Sequence, residues 1–218
     1  MVDKFSRQVG IVPSKVMKMN FLVCGAGAIG RNVALNLAHI GCKKITVYDF
    51  DTVEIHNVCS QGYLIEDVGD LKVKALNNHL LKINPDINFM PYSTKWRPDF
   101  EFYDYVFLCV DCMEARAHIS KYYMSRKVGK QPVIIDTRMK GEEFRILCIN
   151  DLKTYKEYTN SLFSNAEAAD GNCTSQSTYY CSNIVAGLAV QRMVAHSRNG
   201  NYPSDSFGNL FAFCFGSN

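Results

Sequence analysis

An apolar run, "MNFLVC", ends directly on the glycine-rich turn "GAGAIG", which opens into "IGRNVALNLAHIG", where apolar residues recur at helical spacing until Gly41 closes the segment. Strand, tight turn and helix in that order commit the chain to a βαβ beginning. Glycine permits the tight turn and lets backbone approach a phosphate, while the helix N-terminus supplies N–H donors. Gly25, Gly27, Ala28 and Gly30 are therefore the first cofactor-binding candidates. The same glycines also suit close strand–helix packing, and NAD, FAD and ATP folds all use such a turn.

The alternation continues. "KKITVYDF", "INFMPY", "YDYVFLCV" and "PVIIDT" read as further strands, with helices at "LKVKALNNHLLKIN" and "CMEARAHISKYYMSRKVG". Val73, Leu76, Leu80 and Leu81 form the apolar side of the first of these helices. Strands alternating with helices imply right-handed crossovers and an α/β, Rossmann-like, mostly parallel sheet with flanking helices. Ligands bind such sheets beyond the carboxyl ends of the strands. After Asp136, "EEFRILCIN" reads as an added antiparallel strand. Residues 151–174 read as a long irregular crossover loop, a second place to look for chemistry. "TYYCSNIVAGLAVQRMVAH" is an apolar helix whose small-residue face suits close packing, across a dimer included, and "LFAFCF" is an edge strand. A length of 218 residues fits one domain over 1–218, with residues 1–18 as an N-terminal arm.

A formal charge of +3 gives no footing for nucleic acid or an anionic membrane as partner. No apolar run reaches the length of a membrane span, and "MVDKFSRQVG" holds no signal-peptide core, so the expected location is cytoplasmic. Nine cysteines raise the question of disulfides or zinc. Cys24, Cys109 and Cys148 sit in apolar strands and Cys181 in an apolar helix, where cysteine is a small buried hydrophobe. Cys109 to Cys112 is the only C-x-x-C and has no second pair, so no zinc is expected.

Polar candidates cluster where the sheet's carboxyl edge should lie. Asp49 and Asp51 close the second strand, where a carboxylate can accept both hydroxyls of a ribose. Lys72 opens a helix after "VGDL", and Asp111 lies just past the fourth strand. A lysine there can neutralise phosphate and an aspartate can hold Mg²⁺. Singly, each also reads blandly: loop solubility for the two acids, an exposed lysine, a helix-capping aspartate.

In order, these segments resemble the ThiF/MoeB-type adenylyltransferases, whose fold is shared with ubiquitin-activating enzymes. "SRQVG" resembles the family's Arg-Gln entry motif, and "GAGAIG" its glycine turn. "DFDTVEIHNVCSQ" is similar to its D-x-D-x-V-x-x-S-N-L-x-R-Q signature and "VGDLKVKA" to its V-G-x-x-K segment. "CVDCMEAR" matches the strand that ends in its Mg²⁺ aspartate, and "NCTSQSTYYCSNIVAGLAVQ" its loop cysteine and apolar helix. Two positions depart: the signature's arginine is Ser60, and its serine is His56.

The resemblance implies an enzyme whose cofactors are ATP and Mg²⁺. The C-terminal carboxylate of a small ubiquitin-like or sulfur-carrier protein, or of a peptide, attacks the α-phosphate, giving an acyl-adenylate and pyrophosphate. It assigns Asp49 to the ribose, Asn57 and Gln61 to the triphosphate side, Lys72 and Arg7 to phosphate charge, and Asp111 to Mg²⁺. Arg7 would act from the neighbouring subunit of a homodimer, and Cys173 would receive the activated group. Two other readings stay open. An NAD(P)-dependent oxidoreductase rests on the glycine turn and Asp49 alone. A non-catalytic nucleotide-binding dimer rests on Ser60.

Overall fold

The five strands expected from the apolar runs form one parallel block, and three antiparallel strands extend it. A computed structural model describes residues 4–99, 101–127, 129–163 and 177–217. The strands are β1 (Asn20–Cys24), β2 (Lys44–Tyr48), β3 (Asn88–Tyr92), β4 (Tyr105–Leu108), β5 (Val133–Lys140), β6 (Glu143–Ile149), β7 (Asp205–Asn209) and β8 (Cys214–Ser217). They make a single sheet in the order β3-β2-β1-β4-β5-β6-β7-β8, parallel as far as β5 and antiparallel after it. The strand order reverses between β1 and β4, which creates a crevice at their carboxyl ends.

Helices cover both faces: α1 (Ala28–His39), α2 (Ile55–Gln61), α3 (Lys72–Ile83), α4 (Met113–Ser125), α5 (Leu152–Asn160) and α6 (Tyr179–Ser197). The period of two in the strands sorts their residues between two cores. Phe21, Val23, Tyr105, Phe107 and Ile135 join one core with α1, α3 and α6. Leu22, Cys24, Val106, Leu108 and Ile134 join the other with α4 and α5. A strand buried on both faces reads as a continuous apolar run, which is why these segments were legible. Each fully buried Leu or Phe contributes about 1.5–3 kcal/mol relative to exposure.

Four sequence expectations change. Leu81 is 42% exposed, because the buried stripe of α3 runs through Val73, Leu76 and Leu80 and the next residue turns about 100° away. The 151–174 loop begins as α5, nucleated where the Asp151 carboxylate caps Thr154 N at 2.7 Å. "LFAFCF" is largely the turn of the β7–β8 hairpin, because Asn209 pairs with Cys214. The tip carries Phe211 and Phe213, 87% and 84% exposed. The small-residue face of α6 packs inside the chain, where Cys181, Val185, Ala186, Ala189 and Val190 are buried and α6 lies against α1.

Candidate active site

The three glycines of the turn divide by cause. A Cβ on Gly25, whose φ is +94°, would sit 2.7 Å from the Cys109 carbonyl oxygen, and one on Gly30 would sit 1.9 Å from that of Gly25. Those two are required by strand–helix packing. A Cβ on Gly27 would meet nothing within 4 Å. Gly27 is the residue before α1 and provides no side-chain cap, so the first N–H groups of α1 face open space. That space, at the end of β1, fits a phosphate. Tyr63, buried at the end of the signature segment, donates its hydroxyl to the Ala26 carbonyl at 2.8 Å and holds the turn from behind.

Asp49 follows β2 directly. Its Oδ2 accepts from Ala26 N at 2.6 Å and its Oδ1 from Asp51 N at 2.9 Å. Burial raises its pKa, while the two N–H bonds and nearby Lys72 pull it back. Lys72 is the first residue of α3 and only 6% exposed. The expectation of an exposed lysine fails. Its Nζ pairs with Asp51 Oδ2 at 2.8 Å, and its amide donates to the Asp51 carbonyl at 2.9 Å. A buried ammonium needs such a partner, since desolvation disfavours charge.

Asp111 lies in the bend between β4 and α4, exposed, on the other side of the crevice. It does not cap α4, whose N-cap is Cys112. Mg²⁺ is commonly held by one or two carboxylates with phosphate oxygens and water, and an exposed carboxylate at this edge fits that donor set. Among the described residues no group of three or more His, Cys, Asp and Glu is placed to hold a metal by itself. Burial pushes the Cys109 thiol up to about 11, and Cys112 Sγ donates to Glu114 Oε2 at 2.8 Å.

The signature segment ends in a helix, α2, over Ile55–Gln61. Asn57 is buried and its Oδ1 accepts from Glu54 N at 2.9 Å, closing the start of that helix. Gly62, at φ +82°, closes its end. Gln61 Oε1 is buried without a partner, and Ser60 Oγ donates back to the His56 carbonyl at 2.6 Å. His56 is exposed beside Glu54. Arg7 is not brought to its own crevice. Its short 3₁₀ turn, Ser6–Gln8, packs at the far end of α1, where Gln8 Nε2 donates to the His39 carbonyl and Phe5 lies against Gly41. The 12 residues of α1 separate the two ends by about 18 Å. Cys173 lies outside the described residues.

Two buried polar groups behind the site were not visible in the sequence. Arg31 donates toward His79 Nδ1 at 3.2 Å, and His79 Nε2 lies 3.0 Å from Asp67 Oδ2, all three buried. Asp136, wholly buried in β5, is bridged to Arg116 and Arg138. Burial and the neighbouring Arg138 pull the Arg116 guanidinium down to about 10. No periodicity marks such residues, because an arginine in "MEARAHI" reads as a solvated helix face.

The model of the ThiF family matches residues 8–212. The chain is similar to ubiquitin-like modifier-activating enzyme 5 of Dictyostelium discoideum, 26% identical over 87% of this chain and 56% of that protein. It is similar to adenylyltransferase and sulfurtransferase uba4 of Aspergillus clavatus, 32% identical over 54% of this chain and 26% of that protein. The chain thus spans little more than half of the first relative and about a quarter of the second. In fold it resembles E. coli MccB crystallised with AMPCPP and MccA, with a TM-score of 0.78 at 16% identity, covering 100% of this chain and 71% of that one.

Proposed function

The chain belongs to the ThiF family, and from that premise we propose that it is an ATP-dependent adenylyltransferase. Its substrate is the C-terminal carboxylate of a small ubiquitin-like or sulfur-carrier protein, or of a peptide. The observation that supports this reading is a buried lysine, Lys72, held by Asp51 beyond the end of β2, with an exposed carboxylate, Asp111, just past β4 and the uncapped start of α1 following β1 between those strands. Hydride transfer requires neither, because it develops no phosphate charge. The named activities of the relatives support the same reading.

In the reaction a substrate carboxylate oxygen bonds to the α-phosphorus of ATP, and the bond to pyrophosphate breaks. Two anions must meet, so the barrier is largely electrostatic. The Gly27 turn offers its N–H groups to phosphate, and Asp49 accepts the ribose hydroxyls. Asn57 and Gln61 line the triphosphate side. Lys72 exchanges Asp51 for phosphate oxygen and offsets the charge there. Asp111 would hold Mg²⁺, which would supply further neutralisation of the phosphates. Where the reaction proceeds to a thioester, the Cys173 thiolate bonds to the acyl carbon and the bond to AMP breaks, AMP leaving.

Arg7 serves the crevice of a second copy in a homodimer. Its position at the far end of α1 supports action across an interface. So do the exposed apolar side chains of the arm and signature region, including Val9 at 78%, Ile55 at 64% and Ile65 at 68%. Among the described residues no helix is long and apolar enough to cross a membrane, and a cytoplasmic location belongs to the same proposal.

ATP–pyrophosphate exchange tests the activity. Exchange that depends on an added carrier and disappears in Asp111→Ala is the expected result, and undiminished exchange in that variant overturns the assignment. A non-catalytic nucleotide-binding dimer is favoured by one observation, the Ser60 hydroxyl turned back along α2 where the family signature has arginine. ATP binding without exchange, across a panel of ubiquitin-like carriers, selects that alternative.

A further inference from the structure

Asp136 has no exposed surface, yet it is shared by two nearly buried guanidinium groups, with Arg116 at 6% and Arg138 at 12% side-chain exposure. One buried carboxylate facing two cations is an expensive arrangement, which apolar packing would replace at no loss of stability. What distinguishes it is where the remaining donors go. Arg116 donates to the carbonyls of Leu108, at 3.3 Å, and Val110, the residues that carry the chain from β4 into the bend at Asp111. Thr137, next to Asp136, donates to the same Leu108 carbonyl at 3.1 Å. Arg138 Nε reaches Asp136 Oδ2 at 2.8 Å, while its Nη1 and Nη2 donate to Ser161 O and Oγ at 2.8 and 3.0 Å. Ser161 ends α5 and leads toward residues 164–176, the stretch containing Cys173.

We propose that Asp136 is a positioning residue for the site, fixing through Arg116 the loop that presents Asp111 and through Arg138 the end of α5. The bend that presents Asp111 and the end of α5 are thereby referred to one carboxylate. Neither guanidinium replaces the other, since each spends its second edge on a different loop. The proposal rests on the reading of Asp111 as the Mg²⁺ carboxylate only for its effect on ATP; its structural half stands apart.

Asp136→Asn keeps the shape and removes the charge. Amide hydrogen exchange of the full chain should then speed at least tenfold at residues 109–113 and 161–163 together, while β1, β2 and α1 keep their protection. ATP titrated with and without Mg²⁺ should lose most of its Mg²⁺-dependent gain in affinity, with Mg²⁺-free affinity within about twofold of wild type. Wild-type exchange at either segment, or uniform loosening of the whole chain, overturns the positioning role. Loosened segments with unaltered Mg²⁺ dependence overturn its connection to the site. Parallel titration of Asp111→Ala separates the two ideas: Mg²⁺ dependence there equal to wild type means that Asp111 itself was misassigned. Should Asp136→Asn not fold, Arg138→Gln cuts a single arm. It should loosen 161–163 and spare 109–113, and no change at 161–163 overturns the proposal.

Discussion

Lys72 Nζ lies 2.8 Å from Asp51 Oδ2, with the lysine side chain 7% exposed and the aspartate 49% exposed. The ammonium is desolvated and aimed, while its partner sits at the solvent boundary, where an incoming phosphate can compete for it. Removing either partner has different consequences. Asp51→Asn leaves a buried cation alone and should cost about 1–3 kcal/mol, below the cost of a fully buried pair because Asp51 is half in water. Lys72→Ala should unfold near the wild-type midpoint yet lose about 10²–10³ in ATP–pyrophosphate exchange. Denaturant melts and exchange rates measured on the same preparations check both; a catalytically silent Lys72→Ala contradicts the phosphate role.

The glycine turn offers a cleaner separation of fold from function. Gly30→Ala forces a Cβ into the Gly25 carbonyl and should destabilise by about 3 kcal/mol. Gly27→Ala meets open space at a φ of −72°, which alanine adopts freely, so its stability should stay within about 0.5 kcal/mol of wild type. Its ATP affinity should nevertheless fall at least tenfold, because the added methyl occupies the ligand's approach. Calorimetric titration of ATP into Gly27→Ala decides this, and unchanged affinity would mean the phosphates lie elsewhere.

Arg7 and Asp111 should belong to one functional site contributed by two copies. Arg7→Ala and Asp111→Ala homodimers should each be nearly inactive. After random exchange of subunits half the dimers are mixed, each with one intact site of two, so activity should return to about one quarter of wild type. Mixtures that dimerise and stay inactive contradict an arginine acting in trans.

Two histidines set an acid limit on stability. Burial lowers the pKa of His79 from its usual 6.5, aided by Arg31 and Lys82 and opposed by Asp67. Burial also lowers that of His196, with Lys130 and Lys15 adding to the effect. The unfolded chain therefore takes up protons first as pH falls. The stability contributed by the neutral rings is fully present above about pH 6.5 and drains away below it, by up to about 1.4 kcal/mol per pH unit per ring. Urea melts at pH 7.5 and 5.5 should show the loss, and His79→Gln should reduce it; equal losses in the two proteins would exclude His79.

β1, β2, β4 and the first part of β5 were legible because they are buried on both faces, whereas β3 is a largely exposed edge strand read from its place in the alternation with helices. Gly25 and Asp49 could be placed from sequence alone because each directly follows a strand, Lys72 because it opens a helix, and Asp111 because it lies a few residues past β4. The helix α2 was hidden because "EIHNVCSQ" has no apolar stripe; Asn57 and Gly62 close its ends instead. Leu81 misled because two adjacent leucines cannot share one face of a helix. "LFAFCF" misled because a run of phenylalanine suits a strand, although the register makes it a turn. Arg116 and Asp136 were unreadable for a deeper reason: a buried charge network has no periodic signature, and its members meet only after the sheet is assembled.

The helix α1 begins at the open glycine turn and ends against Phe5 and Gln8 of the arm. It is a rigid strut of 12 residues, so the base of the arm that carries Arg7 is held at a set distance, about 18 Å, from the glycine turn of its own copy. Whatever Arg7 reaches is therefore measured from the far end of α1 and not from the turn.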